Sequence, residues 1–391
     1  MLDWLTIGGG VHGTFLSHVL TGRLGWSRDH VRVLDPHDQP LARWHQMTAN
    51  VGMTFMRSSI VHHLALDPFS LKQFAKTPEG APLARFTYPY KRPAYRLFQE
   101  HTAHVVQAHR LDTLRVQGRA LGLHRTRRGW RVETETGALE ARRVLLALGQ
   151  SEQPCWPAWA QALRTAGGPV HHLFEAGFRR KALPAWQHAV VVGGGISAAQ
   201  VALALAERQP GTVTLLARHP HRVHQLDADP GWMGPKRLRD FHQLRSTHQR
   251  RLTINAARHR GSVPPDVLRR LRRAHQQGRL THHVAEISQA SAHSDGSVDL
   301  HLRASPDTLQ TDCLVLATGF ETQRPGGAWL TAAVHEHELR CGVCGHPIVD
   351  PTLRWAEGLY VTGPLAELEI GPVARNIVGA RLASARLPHA A

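Results

Sequence analysis

The chain has 391 residues, with 47 Lys and Arg against 30 Asp and Glu, which gives a formal net charge of +17 with neutral histidines. The length allows two domains with separate cores, and the four cysteines are too few for a disulfide framework. No run approaches the roughly 18 apolar residues of a membrane span, and a strand predicted almost at Met1 leaves no room for a signal peptide. We therefore expect a cytoplasmic protein without a membrane partner. Because the arginines are spread along the chain rather than clustered in a basic tail, we expect no specific nucleic-acid partner.

A glycine-rich turn follows the first predicted strand. The apolar run Leu5–Ile7 leads into Gly8, Gly10 and Gly13, the spacing of a strand, tight turn and helix that bind a dinucleotide. The first glycine permits the turn, the second lets the backbone approach a pyrophosphate, and the third lets helix and strand pack closely. The next predicted strand ends at Asp35, whose carboxylate suits a ribose diol. We therefore predict that this unit binds FAD.

Further predicted strands complete the first unit. Leu114–Val116, Ala120–Leu123 and Trp130–Thr134 are predicted to form a β-meander, and Glu140–Gly149 is predicted as a buried strand that ends in a glycine turn. A buried apolar strand of this kind is typical of a central parallel sheet. The proline-punctuated stretch Gln153–Trp159 then predicts a crossing between two halves of the chain.

A second glycine-rich turn follows the predicted strand Val190–Val192. Gly193, Gly195 and Ala198 repeat the first spacing, with alanine as the small third residue. The next predicted strand is followed by Arg218, where the first unit has a carboxylate. A cation at this place suits a 2′-phosphate, so this unit is predicted to bind NADPH. The alternative is that Arg218 is an ordinary surface arginine.

The second unit repeats the order of parts in the first. Val284–Ile287 and Val298–Leu302 are predicted as a second meander, and a buried strand then closes on Thr318 and Gly319. The repeat predicts an α/β fold with two Rossmann-like dinucleotide-binding domains, the second inserted into the first. We expect three segments, of which the outer two form the FAD domain and the middle one the NADPH domain: residues 1–160, 161–322 and 323–391.

Several stretches of the chain resemble the two-dinucleotide-binding flavoproteins, and within them the flavin monooxygenases. They are Gly193–Gln200, Ala147–Gly149 with Pro154 and Pro157, Leu316–Phe320, Arg92–Phe98, and the tail segments Gly358–Pro364 and Gly371–Ile377. The resemblance is nearest to the N-hydroxylating branch, which includes the ornithine and lysine hydroxylases. The Phe-x-Gly-x-x-x-His fingerprint of the Baeyer–Villiger and flavin-containing monooxygenases lacks its aromatic residue in Thr165–His171. The chain is also shorter than typical N-hydroxylases, which predicts a reduced substrate insert.

The resemblance implies an FAD- and NADPH-dependent oxidoreductase that acts on O2 and a small nucleophilic molecule. In such monooxygenases NADPH reduces the flavin, O2 forms a flavin 4a-hydroperoxide, and one oxygen atom passes to the substrate, which in this branch is a nitrogen compound. The resemblance assigns Thr318 and Gly319 to the NADPH site. The further residues that it assigns to FAD are Gly149, Gly363, Gly371, Pro372, Arg375 and Asn376.

One segment, Met53–Ser70, is predicted to lie beside the flavin. It follows the strand ending at Asp35 by about the distance found in the flavoproteins that the chain resembles. As catalytic candidates, Arg57 suits an anionic group or the NADPH phosphates, and His62 or His63 suits a hydrogen bond near the flavin. The alternative is that both histidines are ordinary members of a set of 29.

Two further functions stay open from the sequence. One is an NADPH-dependent flavoprotein reductase that inserts no oxygen, and the other is a flavin-bound redox sensor or RNA-associated protein, suggested by the basic charge. Cys341 and Cys344 form a Cys-x-x-Cys pair that suits a redox disulfide or half of a zinc site, although no second pair completes a zinc site. We expect a plain turn there and no metal.

Overall fold

The structure is a computed structural model that describes residues 1–303 and 306–390. Its helices are α1 (Val11–Gly22), α2 (Ala42–Val51), α3 (Ser70–Phe74), α4 (Tyr95–Ala108), α5 (Ala158–Thr165), α6 (Ile196–Arg208), α7 (Pro235–Gln243), α8 (Thr247–Ala257), α9 (Pro265–Gln276), α10 (Gly327–Glu336), α11 (Glu367–Ile370) and α12 (Ile377–Ser384). Its strands are β1 (Leu2–Ile7), β2 (Val31–Asp35), β3 (Phe86–Thr87), β4 (Arg92–Pro93), β5 (Arg115–Gln117), β6 (Ala120–Thr126), β7 (Gly129–Thr134), β8 (Gly137–Leu146), β9 (Val170–His172), β10 (Ala189–Val192), β11 (Val213–Ala217), β12 (Arg222–Val223), β13 (Ser262–Val263), β14 (Thr281–Val284), β15 (Ile287–Ala292), β16 (Val298–Leu302), β17 (Thr308–Thr311), β18 (Cys313–Leu316), β19 (Arg354–Ala356) and β20 (Leu359–Val361).

The first sheet has the strand order β19-β20-β8-β1-β2-β5. β1 lies parallel to both β2 and β8, with Trp4 opposite Val31 and Arg143. Strands that are covered on both faces are continuously apolar in sequence. The central strands β1 and β8 are covered in this way at their paired residues Leu5 and Val144, which have no exposed surface. The sheet therefore combines strands from the start of the chain with β19 and β20 from its end.

The second sheet has the strand order β14-β11-β10-β18-β9, and all its strands are parallel. Its central strand β10 pairs Ala189 with Val213 on one side and with Cys313 on the other. Helix α6, which follows β10, is buried along the face that begins at Ala198. The parallel strands at the centre of both sheets, with helices packed on them, confirm the predicted α/β fold.

The meanders begin later in the chain than the sequence predicted. Leu114–Val116 was expected to open the first meander, but β5 pairs parallel with β2 at the sheet edge, with Arg115 opposite Val33. Likewise β14 pairs parallel with β11, and the second meander begins at Ile287. Runs of three or four residues carry too little alternation to distinguish a parallel edge strand from a meander strand.

Two chain crossings between the sheets run side by side. The Cys155 amide donates to the Gly319 carbonyl oxygen at 2.9 Å, and the Glu321 amide donates to the Gln153 carbonyl oxygen at 2.9 Å. The buried amide of Gln150 adds hydrogen bonds to the carbonyls of the second crossing. The crossings thus form a short antiparallel junction at which the two sheets meet.

A helical layer from the middle of the chain packs against its C-terminal segment. Helices α7 and α8 contribute Leu238, Phe241 and Ile254 to an apolar cluster that also contains Leu368 and Val373. These two helices were not predicted from the sequence. Within the described ranges, none of the helices has the length and apolar character needed to cross a bilayer.

Candidate functional site

The first glycine turn has the geometry of a nucleotide-binding loop. Gly8 has a φ of +106°, and a β carbon there would lie 2.7 Å from the carbonyl oxygen of Ala147. A β carbon on Gly13 would lie 1.7 Å from the Gly8 carbonyl oxygen, so helix α1 touches the strand end. By contrast, a β carbon on Gly10 would meet no atom within 4 Å. The turn therefore keeps open space at the position where a pyrophosphate approaches.

Two polar features surround this open space. Helix α1 begins after Gly10 without a side-chain cap and without an acidic residue in its first turn, so its N-terminal amides remain available for an anion. Asp35 stands at the end of β2, where its carboxylate accepts the Gly9 amide at 2.6 Å and the His37 amide at 2.9 Å. Because these are the positions of a pyrophosphate and a ribose in such folds, the residues fit FAD.

His12 joins the first turn to the C-terminal segment, a role that its place in the sequence did not predict. Its Nδ1 lies 2.9 Å from Thr362 Oγ1, and its Nε2 lies 3.1 Å from the carbonyl oxygen of Asn376. Burial lowers the pKa of His12 to about 4, so the ring is neutral at pH 7. A β carbon on Gly363 would lie 3.7 Å from His12 Nδ1, which places this predicted FAD residue beside the turn.

The other predicted FAD residues lie in two places. Gly371 has a φ of +92° at the end of α11, and both Gly371 and Pro372 are buried in the turn before α12. Asn376 is the N-cap residue of α12, and its side chain makes no capping hydrogen bond. Gly149 is exposed three residues after the end of β8, and a β carbon there would meet no atom within 4 Å. The remaining residue, Arg375, belongs to an ion-pair cluster described below.

The second glycine turn repeats the geometry of the first. Gly193 has a φ of +153°, and a β carbon there would lie 2.6 Å from the carbonyl oxygen of Ala317 and 3.0 Å from Ala198 Cβ. Helix α6 begins after Gly195 without a side-chain cap. Its N-terminal amides are therefore also available for a phosphate group.

Arg218 occupies the place in the second unit that Asp35 occupies in the first. It directly follows β11, is exposed, and makes no hydrogen bond or ion pair within the described ranges. His219 and His221 lie next to the turn, since His221 Nδ1 is 3.1 Å from the Gly194 carbonyl oxygen and a β carbon on Gly194 would be 3.2 Å from the His219 ring. The exposed guanidinium of Arg218 is thus the cation near this turn that suits a negatively charged group.

Thr318 and Gly319 lie at the junction of the two crossings. Gly319 has a φ of +85°. The Thr318 hydroxyl donates to the carbonyl oxygen of Cys155 and lies 3.1 Å from His172 Nε2. The Thr318 side chain is therefore engaged within the protein, and the Gly319 backbone is the more open of the two predicted NADPH contacts.

The three predicted catalytic side chains do not converge on one group. Arg57 forms an ion pair with Asp227 at 2.6 Å and donates to Ser262 Oγ at 2.8 Å, so its guanidinium is engaged by the second unit. His63 is fully buried, its Nδ1 accepts a backbone amide, and its Nε2 lies 3.1 Å from the Pro68 carbonyl oxygen. Both ring nitrogens of His63 are thus engaged within the protein. Burial lowers the pKa of His62 to about 4, so this half-buried ring is neutral at pH 7.

A buried carboxylate surrounded by cations is the main feature of the site that the sequence pattern did not predict. Glu367 is 1% exposed and forms ion pairs with Arg375 at 2.8 Å, Arg258 at 3.4 Å and Arg251. Burial raises the pKa of Glu367, but the hydrogen bond and charge of Arg375, together with Arg251 and His346, lower it to about 2. Three arginines around one carboxylate leave a net positive charge, which favours an anionic ligand nearby.

The Glu367 cluster lies between the two glycine turns. It consists of Glu367, Arg251, Arg258, Arg375 and His346. On one side the next residue after the cluster is Asn376, which contacts His12 in the first turn. On the other side Arg258 precedes Gly261, whose Cα would lie 3.3 Å from a β carbon on Gly195. No short sequence pattern marks the cluster, because its members are far apart in the chain. A short path of contacts therefore connects the two turns.

Among the described residues, one group of side chains is spaced for a metal ion. It consists of His124, Glu336 and His337, with His124 Nδ1 3.1 Å from Glu336 Oε1. These groups already bind one another, and His337 Nε2 also lies 3.0 Å from the Leu123 carbonyl oxygen. The expectation of no bound metal stays a prediction.

Sequence profiles connect the chain to known proteins. The profile of the family described as L-lysine 6-monooxygenase/L-ornithine 5-monooxygenase matches residues 99–322. A profile described as FAD-NAD(P)-binding matches residues 5–151. No curated protein sequence matches the chain at a significant level.

Solved structures share the fold at low sequence identity. DfoA from Erwinia amylovora, a cadaverine monooxygenase of desferrioxamine biosynthesis bound to FAD, has a TM-score of 0.75 and 17% identity, covering 99% of this chain and 93% of DfoA. The ornithine hydroxylase PvdA from Pseudomonas aeruginosa has a TM-score of 0.75 and 18% identity, covering 98% of both chains. The ornithine N-hydroxylase KtzI from Kutzneria sp. 744, with reduced FAD, NADP+ and L-ornithine, has a TM-score of 0.76 and 18% identity, covering 98% of this chain and 97% of KtzI.

Proposed function

The chain belongs to the L-lysine 6-monooxygenase/L-ornithine 5-monooxygenase family, and from this premise we propose that it hydroxylates the terminal primary amine of a small aliphatic amino acid or diamine. Membership confirms the expectation of a flavin-dependent monooxygenase, an oxidoreductase with FAD and NAD(P)H as cofactors. We further propose a cytoplasmic enzyme that acts on a small molecule and O2, in keeping with its free cysteines.

The path of contacts between the two glycine turns supports the use of two nucleotide cofactors in this proposal, while the amine substrate follows from the family. It places two uncapped helix N-termini at the ends of a short connection through the Glu367 cluster. Such an arrangement suits two nucleotides whose reactive ends share one cleft. The proposed organisation is an FAD domain of residues 1–160 and 323–391 around an NADPH domain of residues 161–322.

In this proposal the chain's own residues bind and orient the two cofactors. Gly10 and the α1 amides hold the FAD pyrophosphate, and Asp35 holds its ribose. Gly195 and the α6 amides hold the NADPH pyrophosphate, and Arg218 holds its 2′-phosphate. When bound and reduced, FAD supplies the activation of O2 and the transfer of one oxygen atom.

A substrate panel tests the proposed reaction. The purified, FAD-loaded enzyme is incubated in air with NADPH and, in turn, L-ornithine, L-lysine, cadaverine, a thioether and a cyclic ketone. We expect that one of the three amines accelerates NADPH oxidation and yields a product heavier by one oxygen atom, with a hydroxylamine group. A difference between cadaverine and the amino acids then shows whether the site requires a carboxylate. Oxygenation of the thioether or ketone alone would reject amine hydroxylation.

Arg218→Ala is expected to weaken NADPH use without affecting NADH use. The substitution removes a charge-assisted hydrogen bond to the 2′-phosphate, worth about 1.5–3 kcal/mol, so kcat/KM for NADPH should fall at least about tenfold. NADH lacks this phosphate, and its kcat/KM should change little. Arg128→Ala is the matched control, because Arg128 is an exposed arginine in the hairpin between β6 and β7, in the other unit. Equal losses for both nucleotides would reject the assignment of Arg218.

A further inference from the structure

The two cysteines at positions 341 and 344 share a tight exposed turn. The Gly345 amide donates to the Gly342 carbonyl oxygen at 2.8 Å, and a bridge between Cys341 and Pro347 closes the base of the turn. Val343 at the tip is 85% exposed. Both cysteines are free and partly exposed, so small solutes reach this turn.

The inner side of the turn meets buried cationic groups. Arg251 lies beside the Cys344 sulfur, and its Nε and Nη2 atoms are buried without a well-aligned acceptor in the described part of the chain. His346, whose side chain is 2% exposed, lies on the same side, with its Nε2 3.2 Å from Glu367 Oε1. Two buried donor nitrogens that lack an acceptor favour an anion at the neighbouring sulfur.

The ionisation of the two thiols differs accordingly. Burial raises the pKa of Cys344, but His346 and the nearby positive charge of Arg251 lower it to about 6. Burial raises the pKa of Cys341, and the neighbouring Cys344 raises it further, against the lowering effect of Arg324. One member of the pair is therefore a thiolate at pH 7 while the other stays a thiol, which is the asymmetry that redox-active pairs require.

We propose that Cys344 is a peroxide-reactive thiolate and that Cys341 is its resolving thiol, so that this turn is a site of reversible oxidation. The Cys344 sulfur attacks one oxygen of hydrogen peroxide, the O–O bond breaks, and hydroxide leaves, so sulfur becomes a sulfenic acid. The Cys341 sulfur then attacks the Cys344 sulfur, the S–O bond breaks, and water leaves with the Cys341 proton. Together the two cysteine sulfurs lose two electrons, which hydrogen peroxide gains. The product is a disulfide, which a dithiol reductant can reduce back to the two thiols.

A metal site is the competing interpretation of a Cys-x-x-Cys turn. The metal-spaced group found among residues 1–303 and 306–390 consists of His124, Glu336 and His337 and includes neither cysteine. The buried neighbours of Cys344 also include Arg251, a cation that repels a metal ion. The surroundings of the turn thus favour thiolate chemistry over zinc.

The pH dependence of alkylation tests the thiolate. The reduced, FAD-loaded enzyme is treated with iodoacetamide between pH 5 and 9, and each cysteine is quantified by peptide mass spectrometry. Labelling of Cys344 should rise with a midpoint near pH 6 and then level off. Cys155, also partly exposed, serves as the internal control because burial raises its pKa. At pH 6 Cys344 should react with iodoacetamide about tenfold faster than Cys155. Its larger thiolate fraction outweighs the lower nucleophilicity of a low-pKa thiolate.

Peroxide treatment tests the disulfide. One equivalent of hydrogen peroxide should join Cys341 to Cys344 with loss of two hydrogens. Cys341→Ser should trap a sulfenic acid on Cys344, detected as a dimedone adduct, and Cys344→Ser should abolish the fast reaction. Because peroxide is added and no substrate turns over, the outcome is independent of the proposed amine hydroxylation. Alkylation of Cys344 with a midpoint near 8.5, or equally fast oxidation of Cys155, would overturn the proposal.

Discussion

Gly10→Val is expected to give a folded protein that no longer retains FAD. The backbone at Gly10 is extended, with φ −72° and ψ −166°, which a β-branched residue adopts readily. A β carbon there meets no atom of the protein within 4 Å, so the fold tolerates it. The same space must admit the pyrophosphate, and loss of two hydrogen bonds to its charged oxygens costs about 3 kcal/mol. The affinity for FAD should therefore fall at least about 100-fold.

Flavin content and thermal unfolding of the FAD-free proteins measure this effect. Gly234→Val is the matched control, because Gly234 also precedes a helix in extended backbone and a β carbon there also meets open space. The control should retain FAD at the level of the natural protein. If Gly10→Val purifies with an equal flavin content, the first glycine turn does not bind FAD as proposed.

Glu367→Gln is expected to destabilise the protein strongly at neutral pH. The substitution removes the only carboxylate among the described residues that pairs with Arg251, Arg258 and Arg375, and leaves these largely buried cations uncompensated. Breaking a buried ion pair in this way costs about 3–5 kcal/mol in free energy of unfolding. Denaturant unfolding at pH 7 measures the loss. Glu152→Gln is the control, because the Arg119–Glu152 pair is exposed and should contribute less than about 1 kcal/mol.

The stabilisation by Glu367 should also depend on pH. Its pKa is lowered to about 2 in the folded protein, so the unfolded chain takes up a proton first as the pH falls. The contribution is complete above the unfolded pKa of about 4.3 and is lost as the pH falls towards 2. The difference between the natural protein and Glu367→Gln should therefore shrink by about half between pH 7 and pH 3. A constant difference would mean that the carboxylate charge is not what stabilises the cluster.

The sequence predicted those parts of the site that depend on local backbone geometry. Gly8 and Gly193 adopt positive φ angles at strand ends, and Gly13 touches the strand, as a strand-turn-helix unit requires. Asp35 is the last residue of the strand after the first turn, and Arg218 directly follows the strand after the second turn. These features are encoded within about 30 residues, so a local pattern suffices to find them.

Features that depend on distant contacts could not be predicted in the same way. The Glu367 cluster draws arginines from α8, from the loop after it and from the C-terminal segment. Nothing in the local sequence of Arg251 and Arg258 distinguishes them from the other arginines, and the motif around Arg375 does not reveal that it pairs with Glu367. Arg57 pairs with Asp227, which is 170 residues away in the chain, so no local pattern reveals this contact. The side-chain environment of His63 likewise depends on packing that a run of histidines does not reveal.

The ratio of hydroxylamine formed to NADPH consumed is the most direct test of the central claim. It is measured in air-saturated buffer with a saturating concentration of the preferred amine, and hydrogen peroxide is quantified in parallel. We predict a ratio close to one, with no hydroxylamine when O2 is removed. If every amine leaves hydrogen peroxide as the sole oxygen product, the protein is a flavoprotein reductase that inserts no oxygen, and the proposed amine hydroxylation is wrong.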